Sequence, residues 1–220
     1  MPARVARDSQ RARVYRAELP MPSSPLPGLA ACAAFAARVV GTLWWHARFP
    51  DHTLDRLPRL RPGNGARTAY LRDEYDGHSI TLPRRYRTKG VMLHELAHWA
   101  LDDQPDLPAH GATFTRVLLD ATDEFWGPAR ADELRAAYVG ERVRIGEAPR
   151  VGPDGRWRYG CDERLRLSRD RPVTVHAHGH GPVRGVLEAL EDRGSTAVLR
   201  CHDERRRVAV STVWAVEAAR

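Results

Sequence analysis

The stretch HELAHWALDDQPDLPAHGATF, residues 94 to 114, places two histidines four residues apart and a third histidine after a proline-broken turn. In an α-helix of about 3.6 residues per turn, His94 and His98 lie one above the other on the same face. Both imidazoles can then reach one ion. Because apolar residues line the opposite face, the pattern predicts a metal-binding helix, about residues 88 to 103, with a packing face and a chemical face.

Glu95 follows the first of these histidines and gives the helix a candidate for chemistry. A carboxylate at this position is turned away from the ion but can reach a water molecule bound to it. This is the general-base position in the His-Glu-x-x-His motif of zinc hydrolases. Glu95 is therefore the predicted catalytic residue, and Zn²⁺ is the predicted cofactor.

A third ligand is expected after the turn that follows this helix, because a catalytic zinc takes three protein ligands and keeps one position for water. The next predicted helix carries three carboxylates at about the right remove, which are Asp120, Asp123 and Glu124. His110 is the better candidate, since Pro105 and Pro108 break the helix and turn the chain back across the two helical histidines. The following Gly111 permits a close approach of the backbone. Together with the helical pair, His110 completes the predicted ligand set.

The same block, with the opening RDSQRARVYRAE (residues 7 to 18), resembles known zinc peptidases. Its order of HExxH, short loop and HGxxF is similar to that of SprT-like and other minimal, gluzincin-type peptidases. Together, the two stretches more closely resemble an actinobacterial family of zinc metallohydrolases. The resemblance covers about residues 6 to 140, and it implies a zincin-like domain in which His94, His98 and His110 ligate zinc and Glu95 acts as the base.

Composition is typical of a globular, cytoplasmic protein without a dedicated nucleic-acid arm. Of 220 residues, 42% are hydrophobic and 29% are charged. The net charge of +7 is spread out, with +4 (21 basic, 17 acidic) in residues 1 to 145 and +3 (14 basic, 11 acidic) in residues 146 to 220. Three widely spaced cysteines offer neither a disulfide framework nor a zinc clip, which favours a reducing cytoplasm. The apolar run at residues 29 to 40 is well short of the roughly 20 residues that a membrane span needs.

The remaining patterns predict an α+β protein. The zincin-like domain that the resemblance implies is placed at residues 1 to 145, and a linker at 146 to 171 and a small SH3-like β-barrel at 172 to 220 are predicted after it. In the first domain, further helices are predicted at about residues 7 to 18, 28 to 47, 111 to 126 and 129 to 139. Strands are predicted at residues 66 to 75 and 78 to 82, around an Asp76–Gly77 pair that favours a hairpin. In the last domain, short turns separate four apolar runs, at residues 173 to 180, 184 to 191, 195 to 201 and 206 to 216, which favours four or five short strands.

Three further features bear on catalysis or binding. The strand HSITL (residues 78 to 82) resembles the edge strand that lines the cleft in related zinc peptidases, which implies that it pairs with an extended peptide substrate. Candidates for an oxyanion donor are Tyr86, Arg116 and Tyr138, although a structural role is the more common one for each. Solvated positions are favoured over a second metal site for three histidines that alternate along the first barrel strand, namely His176, His178 and His180.

These patterns predict a zinc-dependent hydrolase, with a peptide or protein as its substrate, in which Glu95 activates a metal-bound water. The C-terminal barrel would bind a protein or nucleic-acid partner, and no membrane contact is expected. The alternative is a non-catalytic adaptor in which zinc joins the helices and the barrel does the binding. Glu95 favours the hydrolase, because a structural zinc site has no need of a base and closes its fourth position with another side chain.

Overall fold

The computed structural model describes residues 8–21, 23–64, 69–74 and 77–218. The chain forms two compact units, residues 1–145 and 146–220, which we call the first and second unit. Both combine helices with β-strands, so the mixed α+β class is confirmed. Parts of three predictions lie outside the described residues: the start of the helix at 7 to 18, both ends of the strand at 66 to 75, and Asp76 of the hairpin turn.

Six α-helices are described in the first unit: α1 (Arg11–Glu18), α2 (Leu29–Val40), α3 (Leu43–Arg48), α4 (Lys89–Trp99), α5 (Ala112–Trp126) and α6 (Pro128–Gly140). The prediction of one helix at 28 to 47 is wrong, because two helices occupy this stretch. Gly41 ends α2, and the Thr42 side chain caps α3 by accepting a hydrogen bond from the Trp45 backbone N–H at 3.2 Å. Among the described residues of both units, no helix has the length and apolar character needed to cross a membrane.

Three strands form the sheet of the first unit: β1 (Arg59–Pro62), β2 (Tyr70–Glu74) and β3 (Gly77–Leu82). β2 and β3 pair antiparallel as the predicted hairpin, with Leu71 opposite Ile80. β1 pairs parallel with β3 on the other side, and its largely exposed, arginine-containing sequence has no apolar alternation that would predict a strand. Because the order is β1–β3–β2, HSITL lies in the middle of the sheet. The prediction that HSITL is an edge strand is therefore wrong, and β2 is the edge beside it.

The helix α4, which carries the histidine pair, is buried on nearly all sides by α2, α5 and β2. Its start is anchored by the segment before α2, where Ser23 Oγ accepts a hydrogen bond from the Gly90 N–H at 2.6 Å. The chemical face is buried as well as the packing face, since His94 and Glu95 are 5% and 3% exposed. α4 therefore lies inside the first unit and not on its surface.

Residues 146 to 171, predicted as a linker, are part of the second unit. They form a two-stranded ribbon of β4 (Arg150–Val151) and β5 (Trp157–Arg158), followed by α7 (Cys161–Leu167). The linker prediction is wrong because Cys161 and Leu165 of α7 lie in the same apolar core as the strands that follow. Gly155 and Gly160 adopt positive φ angles here, so the glycines make turns in a folded segment.

Five antiparallel strands form the sheet of the second unit: β6 (Pro172–Ala177), β7 (Val183–Glu191), β8 (Thr196–Cys201), β9 (Glu204–Ala209) and β10 (Val213–Ala218). Their order is β10–β6–β7–β8–β9, so the last strand returns to pair with the first. The predicted closed barrel is not found among the described strands, because β9 and β10 do not pair with each other. β9 exposes three consecutive arginines, Arg205, Arg206 and Arg207, and charged side chains of this kind keep an edge strand solvated.

Leu165→Ala tests whether α7 belongs to the core of the second unit. Leu165 is 0% exposed, so the substitution removes packed methyl groups and leaves a cavity. We expect the second unit to lose about 2–5 kcal/mol of unfolding free energy. The measurement is a urea titration in which unfolding is monitored by hydrogen exchange of peptides from residues 172–218. Leu167 lies on the same helix but is 38% exposed, and Leu167→Ala should change the free energy by about 0.5 kcal/mol or less. Equal losses from the two variants would contradict this placement.

Candidate metal centre

Three imidazoles meet inside the first unit. Nε2 of His98 lies 3.2 Å from Nε2 of His94 and 3.2 Å from Nε2 of His110. The three possible ligand atoms lie within 4.8 Å of one another, and no other His, Cys, Asp or Glu group of this kind occurs among the described residues. His94 and His110 are buried while His98 is partly exposed, so solvent reaches the cluster from the His98 side.

The local sequence accounts for this convergence. His94 and His98 are one turn apart on α4, which brings their ring centroids to 4.8 Å. After α4 the chain turns through Pro105 and Pro108 and places the His110 ring 4.6 Å from that of His98. Gly111 is the N-cap of α5, so His110 stands just before a helix that packs against α4. The structure thus brings the three predicted ligands together.

Two carboxylates hold the outer nitrogens of these rings. His94 Nδ1 lies 2.7 Å from Glu18 Oε2, and His110 Nδ1 lies 2.8 Å from Asp8 Oδ2. When Nδ1–H of a neutral imidazole donates to a carboxylate, the lone pair is left on Nε2, and metal-binding histidines are commonly oriented in this way. Both contacts therefore prepare their imidazoles to bind an ion through Nε2.

Both carboxylates come from the segment of α1, which several contacts fix to α6 and the residues after it. The Gln10 side chain is buried and exchanges two hydrogen bonds with the Arg144 backbone, donating at 3.1 Å and accepting at 3.0 Å. The Tyr138 hydroxyl of α6 donates to Glu18 Oε1 at 2.9 Å. Burial, together with the Glu18 charge, raises the pKa of Tyr138 well above its ordinary value, so it stays a donor. Glu18 thus holds an imidazole with one oxygen and a phenol with the other.

Two aromatic rings pack against the imidazoles. Phe114 is fully buried, stacks on His98 at 4.3 Å between centroids, and also contacts the rings of His94 and His110. Tyr15 is half-buried, stacks on His94 at 5.4 Å and meets His110 edge-on at 5.1 Å. These contacts restrict rotation of the imidazoles, so the ligand nitrogens are held in place by the surrounding side chains.

The three imidazoles differ in how they titrate in the metal-free protein. Burial lowers the pKa of His98 well below its ordinary value, and the neighbouring His94 and His110 lower it further. Burial and His94 also lower the pKa of His110, against the opposing effect of Asp8. Burial acts to lower the pKa of His94 too, but Glu18 outweighs it and the pKa is raised. Because a metal ion must displace any proton on His94, we expect metal binding to release a proton.

Glu95 is a buried carboxylate with an unpaired oxygen. The Leu71 backbone N–H donates to this carboxylate, but Oε2 has no hydrogen-bond partner among the described residues. Burial raises the pKa of Glu95 to about 7, although His94 opposes the shift. An unpaired polar atom in the interior is costly and requires an explanation, of which a catalytic role is one.

The other predicted ligands stay away from the imidazole cluster. Asp120 forms an ion pair with Arg116 along α5 at 2.7 Å. Asp123 and Glu124 point into solvent from the same helix. His110 is therefore the residue that joins the helical pair.

The predicted oxyanion donors are also engaged elsewhere. The Tyr138 hydroxyl donates to Glu18, and Arg116 is in the ion pair just described. Arg85 lies over the ring of Tyr86, 4.8 Å from its centroid, in a 3₁₀ turn before α4.

In the second unit, the three histidines do not share a strand face as predicted, because β6 ends at Ala177. His176 lies 3.4 Å from Glu217, and His178 Nε2 is 3.1 Å from the Val151 carbonyl. His180 is exposed beyond the strand.

Asp8, Tyr15 and Glu18 are candidate functional residues that the sequence analysis did not identify. Glu18 is 76 positions from His94 in the chain, a separation that no local pattern reveals. One signal was present, because Asp8, Arg11, Tyr15 and Glu18 follow one another at spacings of three and four residues. That spacing places polar groups on one helix face, next to the apolar Val14 and Ala17 that are buried.

The donor set fits a transition-metal ion. Imidazole is a ligand for zinc, copper, iron and nickel. Tetrahedral ligands about 2.0–2.1 Å from a zinc ion lie roughly 3.3 Å from one another. This value is close to the 3.2 Å that separates Nε2 of His98 from Nε2 of His94 and from Nε2 of His110. The cluster could therefore hold a metal ion through its three Nε2 atoms.

Scans against protein-family models, curated proteins and solved structures find no match to this chain. The resemblance to zinc peptidases therefore stays a prediction.

Glu18→Gln tests the carboxylate that supports His94. The variant keeps the size of the side chain but removes the charge that orients the imidazole, so we expect metal affinity to fall about 10- to 100-fold. Competition with a chromophoric chelator measures this affinity. Glu141→Gln is the matched control, because Glu141 joins α1 and α6 through Arg16 at 2.8 Å but does not contact a histidine. Equal affinities in the two variants would rule out a role for Glu18 in metal binding.

The raised pKa of Glu95 predicts that the unfolding free energy of the metal-free protein depends on pH. The carboxyl titrates near 4.5 when unfolded and at about 7 when folded, so the folded state binds more protons between these values. Stability must then fall as pH rises through this window, by about 3 kcal/mol in total. Glu95→Gln removes this titration. In chelator-treated samples, the unfolding free energy of the variant minus that of the wild type should therefore be about 3 kcal/mol larger at pH 8 than at pH 4.5. Urea titrations at the two pH values measure the difference, and a pH-independent difference would contradict the raised pKa.

Proposed function

We propose that the first unit is a zinc-dependent hydrolase that cleaves peptide bonds. The observation that carries this proposal is the buried Glu95 carboxylate, which has one unpaired oxygen and interacts electrostatically with His94, one of the three converging imidazoles. A structural metal site has no use for such a group and closes its fourth position with another side chain. Among the described residues, no fourth His, Cys, Asp or Glu side chain joins the cluster.

His94, His98 and His110 would hold the ion through Nε2. A zinc ion held by three imidazoles acts as a Lewis acid and lowers the pKa of water in its open position to about 7. Glu18 and Asp8 keep the Nδ1 protons of two ligands in place. The partly exposed side of His98 leaves a path for water and substrate.

Glu95 supplies the proton transfers of the reaction. Water attacks the carbonyl carbon of the substrate amide, the π-electron pair moves onto the carbonyl oxygen, and Glu95 takes the proton of the attacking water. Glu95 then gives this proton to the amide nitrogen, the C–N bond breaks with its electron pair leaving on nitrogen, and the carbonyl forms again. The products are a carboxylic acid and an amine, and Glu95 returns to its ionised form. A pKa of about 7 suits a group that must accept and return a proton near neutral pH.

The edge strand β2 favours a peptide as the substrate. β2 pairs with β3 on one side, and among the described strands nothing pairs with its other edge. It lies against α4, where the Leu71 N–H donates to Glu95. An extended peptide that adds to such an edge is held by main-chain hydrogen bonds and lies beside the catalytic carboxylate. β2 thus takes the role that the sequence analysis assigned to HSITL.

Glu95→Gln separates hydrolysis from metal binding. The amide keeps the size of the side chain but cannot accept a proton, so hydrolysis should fall about 10²- to 10⁴-fold. Zinc content should remain at one equivalent, because the three imidazoles are intact. The measurements are digestion of a peptide library followed by mass spectrometry, and metal analysis of the same samples. Glu124→Gln, an exposed position on α5, is the control that should leave both unchanged.

Zinc-dependent cleavage that survives Glu95→Gln at the wild-type rate would exclude Glu95 as the base. If the wild-type protein retains zinc but cleaves no peptide in the library, the adaptor becomes the better description.

A further inference from the structure

The outer face of the three-stranded sheet is basic. Because paired residues share a sheet face, Arg59 and Arg61 of β1 lie on the same side as Arg72 and Glu74 of β2. The other side carries the fully buried Ile80 and faces the helices of the first unit. All three arginines are exposed, and three arginines against one glutamate leave a net charge of +2 on the described residues of this face.

Glu74, the carboxylate on this face, is already engaged. Its Oε2 accepts a hydrogen bond from the Arg61 guanidinium at 2.6 Å, and its Oε1 accepts one from the Ser79 hydroxyl at 2.8 Å. The Arg72 guanidinium, in contrast, forms no ion pair or hydrogen bond with any side chain that the structure describes. Arg72 thus leaves an unmatched positive charge on the edge strand.

The Arg72 guanidinium is held over a neighbouring ring. Its central carbon lies 5.3 Å from the centre of the Tyr70 ring, two residues earlier on the same face of β2. A cation at this distance from an aromatic face is attracted to it. The contact keeps the guanidinium alongside the strand, where its N–H groups can donate to a ligand that lies beside β2.

An extended peptide on the free edge of β2 reaches this arginine. Its side chains alternate between the two faces, and the residue opposite Arg72 would lie on the outer face with its Cβ about 5 Å from that of Arg72. On the β3 side, the residue opposite Arg72 is the neutral Ser79. A carboxylate beside Arg72 can accept two parallel hydrogen bonds from the guanidinium, whereas a lysine or arginine there is repelled.

We propose that the substrate is a peptide with an aspartate or glutamate at the position that pairs with Arg72. This inference rests on the proposed hydrolase function and names the class of peptide that the enzyme selects. Because β2 lies against α4, which carries Glu95, the acidic residue stands at a fixed number of residues from the cleaved bond. Arg72 determines which peptide binds and takes no part in the proton transfers.

Charge reversal at Arg72 is the direct test. The peptide-library digest of the full chain loaded with zinc should show acidic residues enriched at one position relative to the cleaved bond. A cleaved peptide is then synthesised with glutamate and with lysine at that position. An exposed ion pair and a like-charge contact each change affinity about threefold, so kcat/KM for the glutamate form should exceed that for the lysine form about tenfold. In Arg72→Glu the preference should reverse, and in Arg72→Lys it should remain.

Arg59→Glu is the matched control. It makes the same change of charge on the same sheet face and in the same cross-strand row, since Arg59 and Arg72 both pair with Ser79. Arg59 is three strand spacings from the peptide, about 14 Å, and salt screens charges beyond about 8 Å. The preference for glutamate should therefore stay within about twofold of the wild-type value. Zinc content should remain at one equivalent in all variants.

A second readout does not depend on turnover. In zinc-loaded Glu95→Gln, where the peptides should survive, titration calorimetry measures their affinities directly. The glutamate form should bind about tenfold more tightly than the lysine form. Adding Arg72→Glu should reverse this order, whereas adding Arg59→Glu should not.

The outcomes separate the two claims. If wild type cleaves peptides without a preference for acidic residues, or if Arg72→Glu keeps the wild-type preference, the inference is wrong and the hydrolase function stands. Equal effects of Arg59→Glu and Arg72→Glu would assign the preference to the charge of the whole face and would overturn the role of Arg72. Absence of any cleavage by wild type would overturn the proposed function, and the substrate class with it.

Discussion

The candidate metal centre depends on three imidazole nitrogens that are held close together in the interior of the first unit. Two Nε2 lone pairs at 3.2 Å repel each other unless a proton or a metal ion lies between them. The protein nevertheless fixes this arrangement from outside, with Glu18 on His94, Asp8 on His110 and an aromatic ring against each imidazole. A site of this kind is prepared for a cation before one binds, because its ligands have little freedom to lose.

This constraint explains why the N-terminal segment is built into the imidazole cluster. α1 and the residues just before it supply both supporting carboxylates. The attachment of this segment to α6 and the residues after it, through Gln10 and Tyr138, sets where those carboxylates lie. Tyr138, which is fully buried, reaches the imidazoles through Glu18 without touching them. Residues far apart in the chain thus form one connected network of hydrogen bonds around His94. Loss of any member should affect the metal site before it affects the rest of the unit.

Parts of this arrangement could be predicted from the sequence because they depend on local geometry. The spacing of His94 and His98 determines that they share a helix face, and the prolines after α4 determine that the chain turns back at His110. The hairpin of β2 and β3 follows from alternation around a turn. The supporting carboxylates Asp8 and Glu18 could not be predicted in the same way, because their roles arise from contacts between distant segments. The order of the three-stranded sheet depends on β1, whose exposed and basic sequence carries no strand pattern. In the second unit, the segment that contains Leu165 is rich in glycine, proline and arginine, which suggests a linker. Leu165 is nevertheless buried, because it packs against residues from later in the chain, and the local sequence does not show this contact.

The central claim is that three imidazoles and no further protein side chain hold a catalytic metal. X-ray absorption at the zinc edge tests it most directly, using the full chain loaded with one equivalent of zinc. The account predicts three imidazole nitrogens and one oxygen from solvent at about 2.0 Å. A first shell with four imidazoles or with sulfur, or a chain that loses its zinc during gel filtration, would contradict it.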